Sequence, residues 1–221
     1  LVDHMPPTLA VVVATRADPP LPIARLRAEG QLTEIRQAEL RFTPEEAADF
    51  LHRAMGLELT EEQVVALTGR TEGWVAGLQM AAASLRQRDD VEAFIDTFAG
   101  SHRYIMDYLM EEVLHRQPPE LQTFLLQTSI LDRMSAPLCD AVLLQGPPAG
   151  SQSVLEELDQ ANLFVTPLDD RRVWYRYHRL FADLLRRQLE ERDANIISEL
   201  HGRASRWYEH QADRMRGASL C

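Results

Sequence analysis

Leu163-Phe164-Val165-Thr166-Pro167-Leu168-Asp169-Asp170-Arg171-Arg172-Val173-Trp174-Tyr175-Arg176-Tyr177-His178 decides the fold. Two short runs rich in aromatic and β-branched residues flank a polar turn, Asp169 to Arg172, which is the composition of a β-hairpin. The period is helical just before it: Val154, Leu155, Leu158 and Ala161 fall on one face, after the loop Gly146-Pro147-Pro148-Ala149-Gly150. Helices followed by a hairpin predict a winged helix over residues 100–190, with the hairpin as wing. Alternation along the second run puts Trp174, Arg176 and His178 on one face and Val173, Tyr175 and Tyr177 on the other. His178 then ends the strand and begins the next helix.

Towards the N-terminus the helical reading continues. Thr43-Pro44-Glu45-Glu46 combines a capping hydroxyl, proline at the first helical position and a glutamate that closes a capping box. Thr60-Glu61-Glu62-Gln63 repeats the box with glutamine, so helices start near 44 and 61. The second stops at the Gly69 to Gly73 region. Trp74, Leu78, Ala82 and Leu85 then mark a third helix, ending near Arg88. Amphipathic segments follow at 91–98 and 102–115, and Pro118-Pro119 opens one that reaches Gln127. Beyond the hairpin, Ile196, Leu200, Ala204 and Trp207 outline a last helix.

The N-terminus reads differently. Residues 9–16 form a continuous apolar run around Val11-Val12-Val13, which suits a strand buried on both faces of a parallel sheet. Asp18-Pro19-Pro20-Leu21-Pro22 breaks the chain after it. The fold expected is therefore mainly α, with a winged helix and one strand of an α/β unit at its start.

Composition narrows the function classes. Net charge is −11 and the pI is near 5.1, which opposes non-specific binding to a phosphate backbone. All 23 basic residues are arginines. A phosphate loop needs a glycine-rich turn and a lysine, and neither is present. Cys139 and Cys221 match neither a disulfide framework nor a metal pattern, and Cys139 reads as core. His102, His115, His201 and His210 have no ligand spacing, so no metal site is expected. No apolar run approaches a membrane span, and a cytoplasmic location is expected.

Three phrases carry a family resemblance. They are Pro7-Thr8-Leu9 through Pro19-Pro20-Leu21-Pro22, then Gly73-Trp74-Val75-Ala76-Gly77-Leu78-Gln79, then Trp174-Tyr175-Arg176-Tyr177-His178-Arg179-Leu180-Phe181-Ala182-Asp183-Leu184-Leu185-Arg186. In this order and on these elements the chain resembles the large ATP-dependent transcriptional regulators of the LuxR class, typified by the maltose-regulon activator MalT. The resemblance implies a signalling NTPase of the STAND group. It divides the chain into the end of a nucleotide-binding core (1–42), a helical lid (43–99), a winged-helix domain (100–190) and the start of a helical sensor region (191–221). It also implies a longer parent that is a slow ATPase, uses ATP or ADP with Mg, self-associates when active, and binds DNA through a C-terminal domain outside this stretch. With no Walker A or B motif, this stretch is expected to be inactive and to hold no cofactor by itself.

The resemblance assigns nucleotide-facing roles in the parent to Arg16, Gly73, Trp74 and His178. Arg16 lies where the apolar run meets a loop, beside which ligands bind in open α/β sheets; it faces the terminal phosphate, or pairs with Asp18 at the surface. Gly73-Trp74 starts a helix, whose free N–H groups suit anions. In related proteins a Gly-x-Pro motif there approaches adenine and ribose; here the proline place holds Val75. Trp74 stacks near the nucleotide or anchors the helix core. In the family a winged-helix histidine contacts the β-phosphate of ADP and locks the resting form. His178 takes that place, or packs and caps the wing.

Arg171, Arg172, Arg176, Arg179, Arg186 and Arg187 form the densest basic run, but Asp169, Asp170, Asp183, Glu190 and Glu191 are interleaved, which predicts a salt-bridged, solvated face. No catalytic or DNA-contacting residue is assigned. The function expected is a regulatory part of a nucleotide-switched transcriptional activator, ADP resting and ATP active. The alternatives are a winged-helix DNA-binding protein whose helical segment dimerises, and a helical adaptor.

Overall fold

The computed structural model describes residues 6, 8–15, 18–86, 90–98 and 103–218. After a short helix, α1 (Ile23–Ala28), come α2 (Pro44–Asp49), α3 (Glu61–Thr71), α4 (Val75–Leu85), α5 (Val91–Thr97) and α6 (Arg103–Tyr108). Both predicted capping boxes form. Thr43 Oγ1 accepts from Glu46 N at 3.3 Å while Glu46 Oε2 accepts from Thr43 N at 2.9 Å, and Thr60 and Gln63 repeat the exchange at 3.3 and 3.0 Å. Such a cap contributes about 1 kcal/mol. α2 and α6 widen at their C-terminal ends into π turns, Phe50–Ala54 and Leu109–Leu114.

The winged helix is built from α7 (Pro119–Thr128), α8 (Ala136–Val142), α9 (Gly150–Gln160), β1 (Val165–Pro167), β2 (Tyr175–Tyr177) and the start of α10 (Arg179–Ala218). β1 and β2 pair antiparallel with Val165 opposite Tyr177, and Met134 bridges Tyr175 on its other side. Each strand keeps only three residues of the longer run expected. Phe164 has a φ of 56°, outside strand geometry, and the Asp169 carboxylate accepts from the N–H groups of Val173 and Trp174 to close the turn early. α10 is interrupted at Asp193, which is extended. The helix beyond returns to the winged helix, burying Leu200 and placing Arg203 Nη1 2.8 Å from the Leu143 carbonyl.

One apolar cluster runs from Ala47 to Ala204 and includes Phe94, Phe124, Leu138, Leu155, Tyr175 and Phe181. Tyr177 lies inside it. Thr128 Oγ1 donates to the Phe124 carbonyl at 2.7 Å, so the Tyr177 hydroxyl, 2.7 Å from Thr128 Oγ1, is the donor of that second bond. Because Thr128 stays satisfied without it, Tyr177→Phe is expected to cost only about 1 kcal/mol, read as a fall of about 2–4 °C in thermal midpoint.

Cys139 is fully buried, as expected of a core position, and burial pushes its thiol up to about 12. Only the thiolate reacts. In a Cys221→Ser background, labelling of Cys139 by a thiol reagent is expected to proceed no faster than unfolding, followed by stopped-flow absorbance.

The expected N-terminal strand does not form over its described residues, 9–15. Residues 8–15 pair with no strand, and Leu9, Val11, Val12 and Val13 are 54, 58, 93 and 52% exposed. Valine content favours a strand only where neighbouring strands supply hydrogen bonds and cover both faces. Among the described residues the only ladder is in the wing. Residues 18–42 are instead held by ion pairs: Arg36 joins Asp18 and Glu34, and Arg27 joins Glu34.

Candidate functional site

Thr71, the last residue of α3, begins a turn that places Glu72 and Gly73 at positive φ, 49° and 70°. Gly73 is required there twice over. A side chain at that φ is strained, and a Cβ would stand 2.5 Å from the Phe42 carbonyl oxygen and 3.0 Å from its nitrogen. The contact is this close because Phe42 N–H donates to the Gly73 carbonyl at 2.9 Å. The same bond carries Arg41 to the turn. Trp74 follows as the residue before α4.

Glu72 points across to the wing. Its carboxylate accepts from Arg176 Nη1 and Nη2 at 2.8 and 2.7 Å, from Arg41 Nη1 at 3.2 Å, and from the backbone N–H of Arg179 at 2.9 Å. Three separate parts of the chain therefore converge on one side chain. Burial alone would raise this carboxyl, but the Arg176 and Arg179 hydrogen bonds outweigh it and hold the pKa at about 2. Arg41 also reaches Thr166 Oγ1 on β1, at 3.5 Å.

His178 is 1% exposed, beside the same turn. Its Nε2 lies 3.0 Å from the Thr71 carbonyl oxygen. A carbonyl only accepts, so Nε2 carries the proton and Nδ1 of the neutral ring is a bare acceptor. Nδ1 is buried and has no hydrogen-bond partner. Burial lowers the His178 pKa below its ordinary value despite the nearby Glu72 carboxylate, so the ring is neutral at pH 7. It stands edge-on to Trp74 and Phe164, with centroids 6.1 and 5.6 Å away, and Trp74 meets Phe164 at 5.2 Å and Tyr108 at 5.9 Å.

Gly73-Trp74 and His178, far apart in sequence, are thus one cluster. Arg16 lies outside the described residues. The alternation that put Arg176 on the His178 face is seen, since both reach the α3–α4 turn while Tyr175 and Tyr177 turn into the core. Sequence reasoning missed Glu72 and Arg41. The available signal was the carboxylate immediately before Gly73, facing an arginine on the histidine's side of a strand.

The basic run is largely paired: Arg172 with Asp159, Arg176 with Glu72, Arg186 with Asp132 and Arg187 with Glu191. α9 precedes the wing, where a helix-turn-helix would carry its reading helix. It exposes Gln152, Ser153, Glu156, Glu157 and Gln160 and contains no arginine. Among the described residues no group of three or more His, Cys, Asp or Glu is placed to hold a metal, and no helix is long and apolar enough to cross a membrane.

The sequence is similar to known proteins over most of its length. Residues 110–196 match the family model of the MalT winged helix domain. The serine/threonine-protein kinase PknK of Mycobacterium tuberculosis is 39% identical over 208 residues, 94% of this chain and 18% of PknK. The HTH-type transcriptional regulators MalT of Yersinia enterocolitica and Yersinia pestis are each 34% identical over 204 residues, 91% of this chain and 22% of theirs. The chain spans about a fifth of the length of these curated relatives. The chain is accordingly similar to MalT over most of its length and carries a MalT-type winged helix at residues 110–196.

Proposed function

We propose that this chain is the regulatory part of a nucleotide-controlled transcriptional regulator, in which the α3–α4 turn and the winged helix close together over one side of a bound ADP and part when ATP replaces it. The observation that carries this reading is the convergence of Gly73, Trp74 and His178 with Glu72 at a single junction between the helical segment and the wing. Support also comes from the relatives' names, one a protein kinase and the others HTH-type regulators. A segment common to proteins with different outputs belongs to the control they share and not to either output.

The residues present fit one wall of a nucleotide site. The buried Nδ1 of His178 lacks a partner and the ring of Trp74 is only half-buried, whereas Arg41 and Arg176 are already engaged by Glu72. A nucleotide would bring the negative charge of its phosphates. Beside such a charge, with Nδ1 uncovered, that nitrogen would take up a proton, and the imidazolium would donate from both nitrogens, one to Thr71 and one to a phosphate oxygen. A divalent ion accompanying the nucleotide is assigned to the parent, together with the phosphate-binding wall. Self-association and promoter binding are likewise assigned to the parent, the latter because α9 is acidic where a DNA reader would be cationic.

Calorimetric titration with ADP is expected to show weak or no binding to residues 1–221, since one wall cannot retain a nucleotide. Tight binding would overturn the division of the site between this chain and its parent. A mobility-shift series in salt is expected to show no DNA complex; salt-sensitive binding would favour a DNA-binding winged helix instead.

A further inference from the structure

We propose that Glu72 is an ionic latch holding the winged helix on the α3–α4 turn, so that loss of its hydrogen bonds frees the wing to move while both halves stay folded. The inference does not rest on the nucleotide reading, because the latch is complete within the chain's own residues.

The contacts at the turn itself are mainly polar, while behind it the apolar core is continuous between the two halves. Glu72 accepts from Arg176, Arg41 and Arg179 N–H, and His178 binds the Thr71 carbonyl. Apolar contact beside them comes from Trp74 and Phe164, both only partly buried. A polar contact of this kind lets the wing shift locally on the turn more readily than an apolar one would. Backbone strain sits on both sides. Glu72 and Phe164 are non-glycine residues at φ of 49° and 56°, a conformation costing of order 1–2 kcal/mol that persists only where neighbours hold it. Glu72 is held by its four donors. Phe164 is held by its carbonyl, which accepts from His178 N at 2.7 Å, and by its ring between Trp74 and Phe181. Opening the carboxylate contacts removes the restraint on the first residue and loosens the histidine that restrains the second.

The chain also has a place to bend. The π turn Leu109–Leu114 joins the helical segment to the winged helix, and the winged-helix match begins within it, at residue 110. Such distortions accommodate local changes in helix path.

The test uses spin labels at Val65→Cys on α3 and Val173→Cys on the wing, both at exposed positions, in a Cys221→Ser background with Cys139 left buried. In Glu72→Gln the distance distribution is expected to widen at least twofold. The Arg179 amide is expected to exchange about tenfold faster, equivalent to about 1.4 kcal/mol, while far-UV circular dichroism is unchanged. Arg187→Gln, which breaks the exposed pair with Glu191, is expected to leave the distance as it was. Should Glu72→Gln not give folded protein, Arg176→Lys keeps the charge, loses the two-pronged geometry and carries the same readout. A distance distribution in the folded variant superimposable on the parent's would overturn the proposal and leave Glu72 a static ion pair.

Discussion

Gly73→Ala is expected to lower the thermal midpoint by about 6–12 °C, the equivalent of roughly 3 kcal/mol at this chain length. Two causes act together. Alanine at a φ of 70° costs about 1–2 kcal/mol, and the new Cβ, 2.5 Å from a backbone oxygen, cannot be relieved by a rotamer change. Residues 41 and 42 must move away, breaking the Phe42–Gly73 bond and withdrawing Arg41 from Glu72. Gly56 provides the control. Its φ is similar, 65°, but nothing lies within 4 Å of where an added methyl would stand, so Gly56→Ala should show the conformational cost alone. Equal losses at the two positions, measured by calorimetric scanning, would show that the close approach at Gly73 contributes nothing.

Glu72→Ala is expected to cost about 2–3 kcal/mol. Removing one partner of a buried pair typically costs about 3–5 kcal/mol, and the lower figure reflects Arg176, whose side chain keeps 32% of its surface exposed. The pH profile identifies the loss. The folded Glu72 carboxyl, at about 2, is depressed from 4.5, so its contribution is present above pH 4.5 and is lost as pH falls towards 2. His178 is also depressed, from 6.5, so its contribution is complete above pH 6.5 and declines as pH falls below it. The parent should therefore lose stability in two stretches on acidification. In Glu72→Ala the upper stretch should survive and the dependence between about pH 5 and 3 should flatten. Urea unfolding midpoints across that range give the measurement, and an unchanged slope would dissociate the carboxylate from stability.

Much of this architecture is legible in the residues. Thr43-Pro44-Glu45-Glu46 and Thr60-Glu61-Glu62-Gln63 start helices through local hydrogen bonds that involve no distant partner. The hairpin is equally local: Asp169 closes it onto Val173 and Trp174. Residues 9–15 show the opposite case. Their apolar pattern describes what should cover them and not what does, because a strand's hydrogen bonds belong to its neighbours. The site divides in the same way. Trp74 and His178 announce themselves by type and alternation, whereas Glu72 resembles any surface carboxylate. Its role depends on a left-handed turn bringing it to Arg176, 104 residues away in sequence, and no periodicity encodes that meeting.

The most direct test of a regulatory closure is the amount of ADP that co-purifies with a full-length protein carrying this segment, compared between the parent sequence and His178→Ala. The histidine's Nδ1 is the one buried ring nitrogen at the junction left without a partner among the described residues, so its removal bears on ligand retention beyond any loss of packing. His178→Phe retains ring volume without either nitrogen and separates the two effects. Both variants should retain severalfold less ADP and show raised basal activity; ADP content equal to the parent's in folded His178→Phe would contradict a closure held by this histidine.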